Sequence, residues 1–266
     1  MANECPIKDA LLGERERIDT VNDDIRLIQR TDGLTFGTDA LLLAGYMDCV
    51  GGRALEIGGG TGIISLLALT RGKFNTVDVC EVQEAFADIC GRNAEINRLS
   101  DRMRIIHADV RKLECERQYD AVFTNPPYMK ATSGRGNGTA EKNAARHEIN
   151  GDIGDFLLAA KRLLKFGGRF YAVYRPDRLA DLVLAMRSAG IEPKRMTFVH
   201  ADTAAEPSTV LVEGRAGGGV GLKLTRPLLI WADTERRGES GDMKYIMENG
   251  SFPEEFYVKN RGQKNG

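Results

Sequence analysis

The chain of 266 residues lacks the features that mark several classes of protein. It has five cysteines but no C-x-x-C pair, and its three histidines lie far from one another, so neither a disulfide framework nor a metal site is predicted. The longest apolar run, near Leu41–Met47, is far too short to span a bilayer. The first residues, Met1 to Arg17, lack the apolar core of a signal peptide. These absences predict a cytoplasmic protein without metal or membrane contact.

The chain also has no large excess of positive or negative charge, since its formal net charge is −1. This balance argues against nucleic-acid binding through bulk charge. A local basic face stays compatible with that sum, because a whole-chain count hides where charges lie. Cations gather in the glycine-containing segment Met129–Asn143 and in a later stretch. Both stretches could contact phosphates, or they could be ordinary solvated surface charge. The later stretch contains Lys161, Arg162, Lys165, Arg169, Arg175, Arg178, Arg187, Lys194 and Arg195.

What the chain does have is a regular rhythm, with 42% hydrophobic residues to build a core. From Arg53 onward, short apolar strands alternate with helix-length segments, which predicts an α/β fold with a mostly parallel sheet and helices on both faces. Two later β-rich segments, Lys194–His200 and Ser208–Glu213, are joined too briefly for a crossover helix. We therefore expect them to pair antiparallel at one edge of the sheet.

The two ends of the chain differ from this pattern. Near the N-terminus we predict a small hairpin and a helix packed on the core, with Thr38 or Asp39 as the helix cap. Near the C-terminus the composition is polar, and the aromatic residues Phe252, Phe256 and Tyr257 are expected to dock on the body. The predicted division is an extension at 1–50, a main domain at 51–231 and a tail at 232–266.

A glycine-rich loop follows the first strand of the alternating pattern. Glycines at positions 58, 60 and 62 follow Glu56, and a helix is predicted to begin directly after them. A dinucleotide-binding G-x-G-x-x-G would need glycine at position 63, where this chain has Ile63. The spacing resembles motif I of class I S-adenosylmethionine-dependent methyltransferases. A turn that merely joins strand to helix is the alternative.

Two later acids follow the next two strands. Glu81 ends the second strand, where a carboxylate can accept both ribose hydroxyls of a nucleoside. Asp109 follows the third strand and resembles the acid that bonds the adenine amino group of the cofactor in those enzymes. The alternatives are a solvated strand-end charge for Glu81 and a helix or turn cap for Asp109.

The tetrapeptide Asn125-Pro126-Pro127-Tyr128 follows the fourth strand, so it should lie at the ligand-binding end of the sheet. An exocyclic amino nitrogen is a poor nucleophile because its lone pair is delocalised into the ring. The Asn125 side-chain carbonyl and the Pro126 backbone carbonyl can accept its two N–H groups and free that lone pair. Proline fixes the segment in an extended shape, and Tyr128 offers a ring for base stacking. Taken alone, the motif would more often be a turn that ends a strand.

Together these motifs resemble the amino-methyltransferases that carry N-P-P-Y, most of all the bacterial tRNA(Val) adenine-N6 methyltransferase family, over residues 20–230. Phe36–Leu43 resembles that family's F-G-T-D element, which lies against the methionine end of the cofactor, and Ala145–Glu148 resembles the segment after its catalytic loop. The resemblance implies a Rossmann-like, mostly parallel seven-stranded sheet with an antiparallel edge strand. It also implies S-adenosylmethionine as cofactor and N6-methylation of adenine in tRNA.

On this basis we assign two groups of site residues, and three other functions stay open. The alternatives are a glutamine N5-methyltransferase acting on a release factor, a guanine-N2 methyltransferase acting on ribosomal RNA, and a cofactor-binding module that contacts RNA without catalysis. The sequence does not indicate an oligomeric state. The expected catalytic residues are Asn125, Pro126 and Tyr128. The expected cofactor-binding residues are Thr38, Glu56, Gly58, Gly60, Gly62, Glu81, Asp109 and Asn125.

Overall fold

The computed structural model of the chain describes residues 12–21, 25–32, 36–114, 117–126 and 152–257. It confirms the α/β fold, with a central sheet of nine strands between two layers of helices. The strands are β1 (Glu16–Val21), β2 (Ile25–Arg30), β3 (Arg53–Ile57), β4 (Thr76–Glu81), β5 (Met103–His107), β6 (Tyr119–Thr124), β7 (Leu164–Tyr174), β8 (Ile191–His200), β9 (Pro207–Ala216), β10 (Lys223–Leu224) and β11 (Leu228–Leu229). The α-helices are α1 (Thr38–Tyr46), α2 (Ile63–Thr70), α3 (Glu84–Ile96), α4 (Ile153–Leu163), α5 (Leu179–Ser188) and α6 (Gly241–Asn249).

The central sheet has the order β10-β8-β9-β7-β6-β3-β4-β5, and β11 also pairs with β8. Neighbours from β5 to β7 are parallel, whereas β9 is antiparallel to both β7 and β8. The predicted antiparallel pairing is therefore confirmed. The count exceeds the predicted seven because β10 and β11, of two residues each, add to β8.

The middle strands are apolar on both faces because both faces are covered. In β3, Ala54 packs into one core and Leu55 into the other, and Phe123 and Val122 of β6 divide in the same way. This alternation is the two-residue period of a strand. Helices α1, α2, α3 and α6 contribute to the first core, and α4 and α5 contribute to the second. Because β3 to β7 run parallel, their carboxyl ends lie at the same edge of the sheet, which we call the carboxyl edge.

The N-terminal hairpin, formed by β1 and β2, lies outside the central sheet. It docks on α3, where the Arg92 guanidinium binds both carboxylate oxygens of Glu16 at 2.7 and 2.8 Å. The helix cap that we predicted after it is wrong. Gly37 is the N-cap of α1 and provides no side-chain bond, while Asp39 lies inside the helix and accepts a hydrogen bond from Thr209 Oγ1 at 3.3 Å.

The end of the described chain packs on the body, as expected from its aromatic residues. Phe252 and Phe256 are buried and contact each other edge to face, and Phe252 contacts Tyr46 in the same way. The Tyr257 hydroxyl donates to the Gly45 carbonyl at 3.2 Å. Within the ranges given above, no helix combines the length and the apolar character needed to cross a membrane.

Candidate active site

The carboxyl ends of β3 and β6 bring the two main motifs together. The two strands are parallel neighbours with Ile57 opposite Thr124, and Thr124 Oγ1 donates to the Ile57 carbonyl at 2.9 Å. The next residues in the chain are Gly58 and Asn125. Because adjacent strands lie about 4.8 Å apart, the glycine loop and the N-P-P-Y motif begin side by side.

The glycine loop, Gly58–Gly62, has one open side and one packed side. Gly58 and Gly60 have φ values of 68° and 54°, and a Cβ on either would meet no atom within 4 Å. A Cβ on Gly62 would instead lie 2.5 Å from Cys90 Sγ on α3. Gly59, which the sequence prediction did not include, is also a packing position, since a Cβ there would overlap Val79. On the open side, the backbone of the loop can approach a ligand closely, and this space fits the predicted cofactor.

Glu81 stands beside this open side and is nearly buried, with 4% of its surface exposed. One carboxylate oxygen accepts the Gly60 N–H at 2.9 Å, and the other accepts the Gln83 N–H at 2.9 Å. An ionised carboxylate has about four acceptor positions, so these two bonds leave room for further donors such as a pair of hydroxyls.

Glu56 lies beneath the loop and its side chain turns towards α2. Its carboxylate accepts the Ser65 N–H at 3.2 Å and a short hydrogen bond from Ser65 Oγ. Burial raises the pKa of Glu56 to about 8, although the bonds from Ser65 oppose the shift and the nearby Glu81 carboxylate adds to it. At neutral pH the group is therefore largely protonated. The structure thus gives Glu56 a contact that supports the loop from below.

Asp109 lies on the wall of a cleft at the carboxyl edge and also caps a short turn. One carboxylate oxygen accepts the Arg111 N–H at 2.9 Å, and the Arg111 guanidinium binds both oxygens. This contact lowers the pKa of Asp109, so the group is ionised and acts only as an acceptor. The cap that we left open is therefore present. The cleft is lined by Ile57, Gly58, Cys80, Val82, Ala108, Asp109, Val110 and Phe156.

The remaining predicted residues are placed only in part. Asn125 is half-buried and Pro126 is buried, whereas Tyr128 lies outside the described residues, as do the segments Met129–Asn143 and Ala145–Glu148. Thr38 is exposed at the start of α1. Its neighbour Asp39 bonds to β9 near the position where β7 ends, so the start of α1 also lies at the carboxyl edge.

The basic stretch considered as a possible surface for RNA contains arginines whose side chains pair with acids inside the molecule. Arg195 is fully buried, and Arg169 pairs with both Asp48 and Glu213. Lys165 is more exposed but pairs with Asp120 at 2.7 Å. We left open whether this stretch contacts phosphates or is solvated surface charge, and neither alternative holds at Arg169 and Arg195, because these side chains join elements inside the molecule.

Comparisons with known proteins agree with this geometry. Residues 30–186 match the methyltransferase small domain family. A relative from Dyadobacter fermentans, named tRNA1(Val) (adenine(37)-N6)-methyltransferase, is 32% identical over 62% of this chain and 69% of its own length. A relative of the same name from Aliivibrio fischeri is 30% identical over 68% of this chain and 77% of its own length.

Solved structures share the fold at lower identity. A protein from Agrobacterium tumefaciens, described as a predicted O-methyltransferase, has a TM-score of 0.66 and 21% identity over 81% of this chain and 98% of its own. The geranyl diphosphate C-methyltransferase of Streptomyces coelicolor, solved with S-adenosyl-L-homocysteine, has a TM-score of 0.52 and 16% identity over 67% of this chain and 80% of its own.

A parallel sheet with one reversed strand, and a glycine loop at its carboxyl edge, define a class I methyltransferase that uses S-adenosylmethionine. Within that class, the family match spans more than half of the sequence. The chain belongs to the methyltransferase small domain family.

Proposed function

We propose that this enzyme transfers the methyl group of S-adenosylmethionine to N6 of an adenine in tRNA. The observation that carries the proposal is the register of β3 and β6, which sets Gly58 and Asn125 next to each other. The names of the relatives support tRNA as the substrate and adenine as the base. A tRNA substrate would also place the enzyme in the cytoplasm.

In this proposal the cofactor lies across the open side of the glycine loop. Glu81 accepts the ribose hydroxyls, and ionised Asp109 accepts the adenine amino group at the wall of the cleft. The apolar side chains of Ile57, Val110 and Phe156 suit the faces of a purine ring. Thr38 approaches the methionine end from α1. Glu56 acts indirectly, because it holds Ser65 and the start of α2 under the loop.

The transfer itself needs positioning and hydrogen-bond acceptance. When bound, S-adenosylmethionine supplies an activated methyl group on a positively charged sulfur. The Asn125 side-chain oxygen and the Pro126 carbonyl accept the two N–H groups of the target amine. This draws the nitrogen towards tetrahedral geometry and directs its lone pair at the methyl group. Tyr128 stacks on the target base.

Transfer of a labelled methyl group to defined acceptors tests this function. The full-length protein is incubated with S-adenosylmethionine labelled on the methyl group and, separately, with tRNA, ribosomal RNA or a peptide-release factor. We expect only tRNA to become labelled, and its digest to contain N6-methyladenosine. Label in release-factor glutamine or in guanine N2 would replace the proposed substrate, and cofactor binding without label in any acceptor would indicate a non-catalytic module.

A further inference from the structure

Helix α3 provides a row of side-chain amides to one edge of the N-terminal hairpin. Asn93 Oδ1 accepts the Ile28 N–H at 2.6 Å, and its Nδ2 donates to the Ile28 carbonyl at 3.1 Å. Asn97 repeats this pattern with Arg26, at 2.9 Å from the N–H and 2.7 Å to the carbonyl. The two amides thus bond β2 as a neighbouring strand would.

The spacing explains why a helix can do this. Four residues along a helix advance about 6 Å, and two residues along a strand advance about 6.7 Å. Asn93 therefore lies opposite Ile28 and Asn97 opposite Arg26, and the backbone groups of these two strand residues point to the same edge of β2. Both amides bond the hairpin in the same way, and each makes three hydrogen bonds.

The two asparagines differ in their third partner. Asn93 Nδ2 also donates to the carbonyl of Thr61 at 2.9 Å, and Thr61 lies inside the glycine loop. The corresponding bond of Asn97 goes to the Asn93 backbone carbonyl at 2.7 Å, within α3. Asn93 is fully buried, so its bonds are not exchanged with water. One amide nitrogen therefore joins the hairpin to the loop.

A second contact joins the hairpin to the start of α1. Gln29, also on β2 and nearly buried, accepts the Phe36 N–H at 3.0 Å and donates to Asp19 at 2.6 Å. Phe36 lies two residues before Thr38. The hairpin thus holds both the glycine loop and the segment that leads into α1, although it lies outside the central sheet.

We propose that Asn93 is a positioning residue for the cofactor, which couples docking of the N-terminal hairpin to the conformation of the glycine loop. This inference rests on the proposed binding of the cofactor at that loop. Docking of the hairpin fixes the Asn93 amide, and the amide fixes the Thr61 carbonyl and with it the turn between Gly60 and Gly62. The coupling is reciprocal, so that binding at the loop also stabilises the docked hairpin.

Asn93→Ala and Asn97→Ala form a matched pair for the test. Each removes an amide that makes two hydrogen bonds to β2, fully buried at Asn93 and half-buried at Asn97, so both should lower the Tm. Only Asn93→Ala frees the glycine loop, and we expect it to weaken binding of S-adenosylhomocysteine about tenfold by calorimetry. Its KM for S-adenosylmethionine should rise in proportion, with little change in kcat. Asn97→Ala should keep its affinity within about twofold of the wild-type value.

Equal affinities for the two variants, with the wild-type protein binding normally, would overturn the role of Asn93 and leave the proposed function standing. A wild-type protein that does not bind S-adenosylhomocysteine would overturn both. Hydrogen exchange in the wild-type protein tests the coupling without any variant. Saturation with S-adenosylhomocysteine should slow exchange of the Ile28 amide several-fold, and an unchanged rate would also contradict the proposal.

Discussion

Single side chains at the carboxyl edge have distinct roles that their chemistry explains. Glu81 and Glu56 are both buried acids beside the glycine loop, but Glu81 bonds the loop backbone whereas Glu56 bonds Ser65 under it. Asn125 follows β6 and is half-buried. These contacts separate residues expected to touch ligands from one that supports the loop, and each role has its own test.

The role of Asn125 is tested by removing its side-chain oxygen. Asn125→Ala should lower the rate of methyl transfer about 100-fold or more, because one of two acceptors of the amino group is lost. Cofactor affinity should change little. The measurement is single-turnover transfer to tRNA together with calorimetry for S-adenosylhomocysteine, and Asn249→Ala, at an exposed position on α6, is the control. Retained turnover in Asn125→Ala would remove this residue from its catalytic role.

Glu81 is tested through cofactor affinity. Glu81→Ala should weaken binding of S-adenosylhomocysteine by about 1–3 kcal/mol, because a charged acceptor of ribose hydroxyls disappears. Glu84→Ala, which changes an exposed acid three residues later, serves as the control in the same calorimetric titration. An affinity equal to that of the wild-type protein would contradict the assignment.

Glu56 should make stability depend on pH. Its pKa is raised from 4.5 to about 8 in the folded protein, so the folded state binds the proton more tightly than the unfolded state. The stabilisation from the protonated group is fully present below about pH 4.5 and is lost as the pH rises towards 8. The slope for a single group is at most about 1.4 kcal/mol per pH unit.

Glu56→Gln cannot titrate and should remove this dependence. Urea unfolding at several pH values from 5 to 8 should show the wild-type free energy of unfolding falling relative to that of Glu56→Gln by a few kcal/mol. Glu95→Gln, at an exposed position on α3, should keep the wild-type profile. Parallel curves for the wild-type protein and Glu56→Gln would show that folding does not raise the pKa of the Glu56 carboxyl.

At the scale of elements, the glycine loop connects β3 to α2 and packs against α3. Its open side is formed by Gly58 and Gly60, and its packed side by Gly59 and Gly62. The sequence pattern identified the loop and the strand before it, because both signals are local in the chain. It did not separate the two sides, because that difference depends on Val79 and Cys90, which come from other elements.

Alanine should act differently on the two sides of the loop, mainly on protein stability at Gly62 and mainly on cofactor binding at Gly60. Gly62 has φ 79°, and the Cβ of an alanine there would clash with Cys90 Sγ. Gly62→Ala should therefore lower the free energy of unfolding by about 2–4 kcal/mol. Gly60→Ala has strain but open space, so it should cost about 1 kcal/mol of stability and mainly weaken cofactor binding. Chemical unfolding and calorimetry on both variants measure this. A larger loss of stability for Gly60→Ala would contradict the division.

Over the whole molecule, one buried cation joins distant parts of the chain. Arg195 on β8 donates to the Tyr46 carbonyl at 2.7 Å and to the Phe256 carbonyl at 3.2 Å, and its Nε lies 2.9 Å from a Glu213 oxygen. Its guanidinium also lies over the Tyr46 ring, at 3.9 Å from the centroid. These contacts join α1, β8, β9 and the C-terminal segment at one point.

Arg195→Met should therefore destabilise the molecule strongly. Loss of the guanidinium leaves the buried Glu213 carboxylate with fewer partners, and we expect the free energy of unfolding to fall by about 3–5 kcal/mol. Arg187→Met is the matched control, because that side chain is 60% exposed and pairs with Glu192 at the surface. A surface pair contributes about 1 kcal/mol or less. Similar losses for the two variants would show that the buried network does not hold these elements together.

The limits of the sequence prediction follow from the same contacts. Alternation of strands and helices is a local signal, and it gave the fold class and the antiparallel pair correctly. Arg195 looked like part of a basic surface because nothing nearby in the sequence reveals its partners Tyr46 and Phe256. The extra strands β10 and β11 span two residues each, which is too short for a strand period to show. The missed features thus depend on residues that are remote along the chain.

The position of β9 has a consequence for the order in which this sheet is completed during synthesis. β8 is made before β9, but in the finished sheet it pairs only with β9, β10 and β11 among the described strands. When β8 has just left the ribosome, the strands it pairs with in the finished sheet have not yet been synthesised. Glu213, the anionic partner of Arg195, also arrives only with β9. The earlier strands can associate first, whereas this side of the protein must wait for translation to pass Ala216.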